Sequence, residues 1–94
     1  MDIFIREYLA TLKLERNLSD NTIASYKNDL SSLLNFLIDQ KVDDPSQIKS
    51  KLLNDFFCVL TKLGLSSRSS ARYYSSLKGF FGYLFSSGYI EINP

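Results

Sequence analysis

Four cations, Lys62, Arg68, Arg72 and Lys78, stand in a stretch between Phe56 and Ile90 that holds no acid. At helical spacing Arg68, Arg72, Ser75, Ser76 and Gly79 fall within an arc of roughly 80° on one side of a helix. Two long guanidinium groups followed by small residues suit contact with a phosphate backbone. The cations reach phosphates or base edges, and the small side chains let the helix approach until its own hydroxyls donate. Taken alone, Arg and Ser are also ordinary residues of a solvated face. A second polar stripe, Asn21, Ser25, Asn28 and Ser32, repeats at helical spacing and is almost uncharged. Exposed helix faces more often carry Glu and Lys, which are better helix formers than Asn and Ser. A face that gives up propensity in this way is expected to touch something polar at close range.

Other chemistries lack their parts. The chain has no histidine and one cysteine, Cys58, so zinc, haem and Cys–His nucleophile sites have no ligand set. Cys58 falls between Phe57 and Val59 and is expected to be a small buried thiol. Asp43 and Asp44 stand in a turn without companions. The glycines Gly64, Gly79, Gly82 and Gly88 do not form a phosphate loop. A tyrosine that attacks phosphate needs a cluster of cations around the transferring group. Tyr8, Tyr26, Tyr73 and Tyr74 instead sit on apolar faces, as core aromatics do. No catalytic residue, metal site or small-molecule cofactor is expected.

With 94 residues, 45% of them hydrophobic and 14% aromatic, the chain is one globular domain over 1–94, large enough to bury a core without staples. No apolar run is long enough to span a membrane and no signal-peptide pattern opens the chain, so an intracellular, cytoplasmic protein is expected. A net charge of +1 and an isoelectric point near 7.8 weigh against nucleic-acid binding. The distribution weighs the other way. Residues 1–55 hold nine acids and seven bases, whereas the remainder holds one acid and four bases.

These side chains need elements to carry them. Ile5, Tyr8, Leu9 and Leu12 predict a helix over 2–14, which Ile3 and Phe4 widen into a possible docking face. Ser19 is placed to cap a second helix that runs to about Gln40, with Ile23, Tyr26, Leu30, Leu33, Leu34 and Leu37 inward. Pro45 opens a short helical turn over 46–48. A third helix over 51–63, capped by Ser50, is apolar almost all round and is expected to be the most buried. Gly64 ends it, and a fourth helix runs to Gly88. On that helix Tyr73, Tyr74, Leu77, Phe80, Phe81, Leu84 and Phe85 are expected to face the core. The pattern is an all-α, compact bundle of four main helices.

The runs LKLERNLSDNTIASYKNDLSSLLNFL at 12–37 and GLSSRSSARYYSSLKGFFGYLFSSGYIEINP at 64–94 resemble the N-terminal core-binding, SAM-like domain of tyrosine recombinases of the Xer and phage-integrase type. Asn17, Leu18, Ser19, Asn21, Thr22, Tyr26, Asp29 and Leu30 match the pattern that opens the second helix, and Asn93–Pro94 the closing N-P. The resemblance implies a four-helix clamp on duplex DNA, with the second and fourth helices at neighbouring major grooves. By position, Asn21, Thr22, Ser25 and Asn28, with Arg68, Arg72 and Ser75, would face DNA. Ser76 and Lys78 extend the set along the fourth helix. From the residues themselves, Arg72 is expected to reach base edges and Arg68 a phosphate. The resemblance further implies a parent enzyme that cuts and rejoins DNA through a phosphotyrosine. Its catalytic domain would lie after residue 94, and its protomers would assemble as a tetramer on two sites. The apolar excess leaves open a small helical protein-protein interaction module as the alternative, and an unidentified helical enzyme as a more distant one.

Overall fold

The computed structural model describes residues 2–91; Asn93 and Pro94, the closing pair of the resemblance, lie outside them. Four helices carry the chain: α1 (Asp2–Glu15), α2 (Asp20–Asp39), α3 (Ser50–Lys62) and α4 (Ser67–Ser86), with a single 3-10 turn at Pro45–Gln47 before α3. The described residues contain no strand, as the absence of alternation predicts.

Local chemistry sets most of the boundaries. Ser19 lies in extended backbone and its Oγ accepts the Thr22 N–H at 3.2 Å, satisfying one of the donors that the first turn of α2 leaves over. Ser66 does the same for Ser69 at the start of α4. Asp44 and Gln47 form a reciprocal capping box around Pro45, whose fixed φ suits the first helical position. Gly64 and Gly88, at φ +86° and +80°, supply the left-handed residue after α3 and α4. Asn17 and Lys41 take the same region without being glycine. Ser50 is not the cap of α3 as expected: it is the first helical residue. Lys49 holds the cap position and makes no side-chain bond there.

Leu30, Leu33 and Leu37 of α2 and Phe80 and Leu84 of α4 are fully buried and form the centre of the core. Each contributes about 1.5–3 kcal/mol of burial relative to exposure. Helices α1 and α4 run antiparallel in sense, since Phe4 stacks on Tyr89 (ring centroids 4.7 Å apart) while Tyr8 meets Phe80 and Tyr83. Glu7 Oε2 accepts hydrogen bonds from Tyr89 Oη at 3.1 Å and Tyr83 Oη at 3.3 Å, and Ile90 is buried just beyond. Of the two residues that widen α1, Phe4 is therefore partly covered within the domain, whereas Ile3 is exposed.

Three expectations about burial are corrected. Helix α3 is not the most buried: only Phe56 and Leu60 are fully enclosed, and Leu63 is 78% exposed. Its inner face meets Phe36 of α2 and Tyr73 of α4, and no described element covers its outer side. Cys58 lies on that outer side and is an exposed thiol rather than a buried one. Tyr74 (60% exposed) and Phe85 also leave the core, because the apolar arc of α4 is wider than the faces packed against it.

Candidate nucleic-acid interface

The two polar stripes meet at one carboxylate. Asp29 of α2 is 0% exposed, and every one of its hydrogen-bond donors comes from α4. Arg72 Nη2 donates to Oδ1 at 2.7 Å, Arg72 Nε donates to Oδ2 at 3.0 Å, and Ser76 Oγ donates to Oδ2 at 2.8 Å. A buried carboxylate is tolerated when its lone pairs and its charge are both answered, and here both are. The Asp29 hydrogen bonds hold the Arg72 pKa above the ordinary guanidinium value, with desolvation opposing them. The same guanidinium stands 5.5 Å from the centroid of the Tyr73 ring, a cation–π distance that restricts it further. One residue along, Tyr73 Oη and Ser32 Oγ are hydrogen-bonded at 3.2 Å, a second link between α2 and α4.

This junction brings several expected residues together. Ser25 lies one turn before Asp29 on α2, and Asn28 follows three residues later; Asn28 is exposed and Ser25 half-buried. On α4, Arg68 and Ser75 lie one turn to either side of Arg72, and both are exposed. The Arg72 side chain, at 43% exposed, spans from the buried carboxylate to solvent. Asn21 is exposed further up α2, and Thr22, half-buried, shares a hydrogen bond with the hydroxyl of its own cap, Ser19, at 2.9 Å. Lys78 is exposed, six residues past Arg72 and off the ridge.

Ser76 and Gly79 are corrected. Helical projection puts both on the outer ridge, but Ser76 is 0% exposed and bonded to Asp29, and Gly79 faces α1, where a β-carbon would collide with the Tyr8 hydroxyl. Small residues on α4 thus serve close helix packing on this side. Ser32, read as part of the outer stripe, is turned toward Tyr73. The residue that the stripes did not reveal is Asp29. Its spacing carried the signal: three after Tyr26 and four before Leu33, it falls on the inward face of α2, where a charge requires a buried partner.

The charge balance of the surface follows. Arg72 is neutralised by Asp29, whereas Arg68, Lys62 and Lys78 make no ion pair among the described residues. No helix among the described residues is long and apolar enough to cross a membrane.

Comparison with known proteins places this architecture. The chain is 36% identical over 91 residues to the tyrosine recombinase XerC of Thermodesulfovibrio yellowstonii, covering 97% of the chain and 29% of that relative. It is 34% identical over 95 residues to the tyrosine recombinase XerD of Listeria monocytogenes and 31% over 94 to that of Staphylococcus epidermidis, in each case covering all of the chain and 32% of the relative. The chain thus spans about a third of the length of these curated relatives. No solved structure matches it. Residues 5–88, which run from the first buried isoleucine of α1 to the glycine that ends α4, match the family described as Phage integrase, N-terminal SAM-like domain, and the chain belongs to that family.

Proposed function

We infer that this chain is the DNA-binding domain of a site-specific tyrosine recombinase or integrase, and that it grips duplex DNA through α2 and α4. The observation that carries the reading is the Asp29–Arg72 bridge. It holds the uncharged hydrogen-bonding stripe of α2 beside the cations of α4, while the acid that does so is itself buried and neutralised. Polar groups of α2 are thereby gathered beside a helix, α4, that carries cations and no acid, as contact with phosphates and base edges requires. Asn21, Thr22, Ser25, Asn28, Arg68, Arg72 and Ser75 are its contact residues; Lys78, off the ridge, adds only to the positive field beside it, and Ser76 acts from inside by holding Asp29.

In this reading residues 1–94 act as a single domain, and strand cleavage and rejoining belong to a further domain of a longer protein. The tyrosine recombinases to which the chain is similar are about three times its length, which supports that division. Protomers of the whole protein would assemble as a tetramer on two DNA sites within the cytoplasm.

The test is binding of the chain to a mixed-sequence duplex at two salt concentrations. With Arg72 compensated, two or three cations remain to displace counterions, so log K should fall with log salt with a slope of about −2 to −3. Binding that ignores salt, or no binding at low ionic strength, would remove the proposal.

A further inference from the structure

The way Asp29 holds Arg72 leaves one particular edge of the guanidinium available. Nε and Nη2 share one side of the planar group, and both are given to the Asp29 carboxylate. The far end, the fork formed by Nη1 and the second N–H of Nη2, has no partner among the described residues, and the side chain is 43% exposed. The carboxylate that fixes this orientation is fully buried, and its Oδ2, which takes the Arg72 Nε hydrogen bond, also accepts from Ser76 Oγ, a second tie that holds it inside.

We propose that Asp29 is a positioning residue that presents the end fork of Arg72 to the paired O6 and N7 acceptors of a guanine in the major groove. The inference rests on the DNA-binding reading above. Charge balance selects a base over a phosphate. Neutralising a phosphate rewards net positive charge through counterion release, and an arginine already paired with a buried carboxylate brings little. A base edge rewards two parallel donors at a fixed angle, which is what the pairing leaves intact. Holding the fork before DNA arrives also reduces the side-chain ordering that binding would otherwise require. Arg68, without an ion-pair partner among the described residues, takes the phosphate role on the same helix.

The experiment is selection from a randomised duplex library with the chain, repeated with Arg72→Lys and Asp29→Asn, each checked for helicity and cooperative unfolding. Arg72→Lys leaves a cation beside Asp29 and so keeps the fold, but loses the fork. The chain should enrich guanine at one position by tenfold or more, on the order expected of one bidentate pair. Arg72→Lys should lose that preference while binding DNA with the same salt slope. Asp29→Asn should relax it although Arg72 is still present. Replacing the selected guanine by 7-deazaguanine, which lacks N7, should weaken the unaltered chain and leave Arg72→Lys unaffected. Should Asp29→Asn fail to fold, Ser76→Ala, which removes the hydroxyl that helps hold the carboxylate, takes its place and should relax the preference in the same way. An unchanged preference in Arg72→Lys or in folded Asp29→Asn, indifference to 7-deazaguanine, or DNA binding with no guanine enriched would each overturn the assignment while leaving the DNA-binding reading in place. Failure of the chain to bind any duplex overturns both.

Discussion

The hydroxyl of Tyr8 on α1 lies against Gly79 of α4, so close that a β-carbon at position 79 would collide with it, while the next atom of the ring is 3.5 Å from that position. The obstacle is therefore one oxygen atom, held in place because Tyr8 is buried among Phe80 and Tyr83.

Gly79→Ala should accordingly be destabilising despite its gain in helix propensity. Alanine is favoured over glycine by about 1 kcal/mol within a helix, but overpacking costs about 1–3 kcal/mol, and the net loss should be about 1 kcal/mol. In a Tyr8→Phe background the same substitution should instead stabilise by about 0.5–1 kcal/mol. Urea unfolding of the four proteins in the cycle measures both signs, and a cost that persists in the Phe background would place the clash elsewhere.

Alkaline pH should unfold the domain partly through Tyr8. Burial, followed by the neighbouring Tyr26 and opposed by Arg16, raises its pKa above the ordinary value of 10.0. A group raised in the folded state keeps its proton there longer than in the unfolded chain. Its contribution is complete below pH 10 and is lost as the pH climbs through the folded value. Tyr89, raised by its hydrogen bond to Glu7, acts in the same direction. The urea midpoint should fall between about pH 8 and about pH 11, and fall less in Tyr8→Phe; equal falls in the two proteins would assign the loss to other groups.

Asp29→Ala should be among the more damaging single substitutions in the chain. It leaves the buried Ser76 hydroxyl without its acceptor and Arg72 without its counter-charge, with an expected cost of about 2–4 kcal/mol, since Arg72 can turn toward water. Asp29→Asn, which keeps one acceptor oxygen, should cost less. Thermal and urea unfolding give the comparison, and a loss for Asp29→Ala within about 0.5 kcal/mol of zero, typical of surface sites, would mean that the bridge contributes little.

Arg68→Ala should flatten the salt dependence of DNA binding by about one unit of slope, as expected for one lost phosphate contact. It should weaken all sequences alike. Lys51→Ala, exposed in the first turn of α3, is the comparison and should change neither quantity. Titrations of the three proteins at two salt concentrations read both. A matching effect from Lys51→Ala would indicate a diffuse positive surface in place of a defined one.

What the sequence made legible was periodic or capped. The inward stripe Leu30, Leu33 and Leu37, the Ser19 cap and the glycines at 64 and 88 all stand where spacing and backbone preference put them. The failures share a physical origin, since helical projection assigns an angle to a residue but not the neighbour that occupies it. Ser76 and Gly79 are small and polar or featureless, which reads as outside; they are small because α2 and α1 come close there. Leu63 and Tyr74 are large and apolar, which reads as inside; four helices of this length do not supply enough surface to cover them. Of the expected contact residues, Arg68 and Ser75 were legible as exposed neighbours of Arg72, whereas Asp29 was legible only as a residue of the family pattern, since its partner on α4, 43 residues away, leaves no trace in local spacing.

The paired tyrosine bonds to Glu7 give the C-terminal end of the described chain a mechanical character. A force applied at residue 91 would first have to pull Ile90 from its pocket and part Tyr89 from both Glu7 and Phe4, before the last turn of α4 bore any load. Because Glu7 sits on α1, the load would pass to the opposite end of the sequence instead of peeling α4 from its terminus. Fraying of the last turn of α4 is thus opposed by the first turns of α1, so the two ends of the described chain are ordered together.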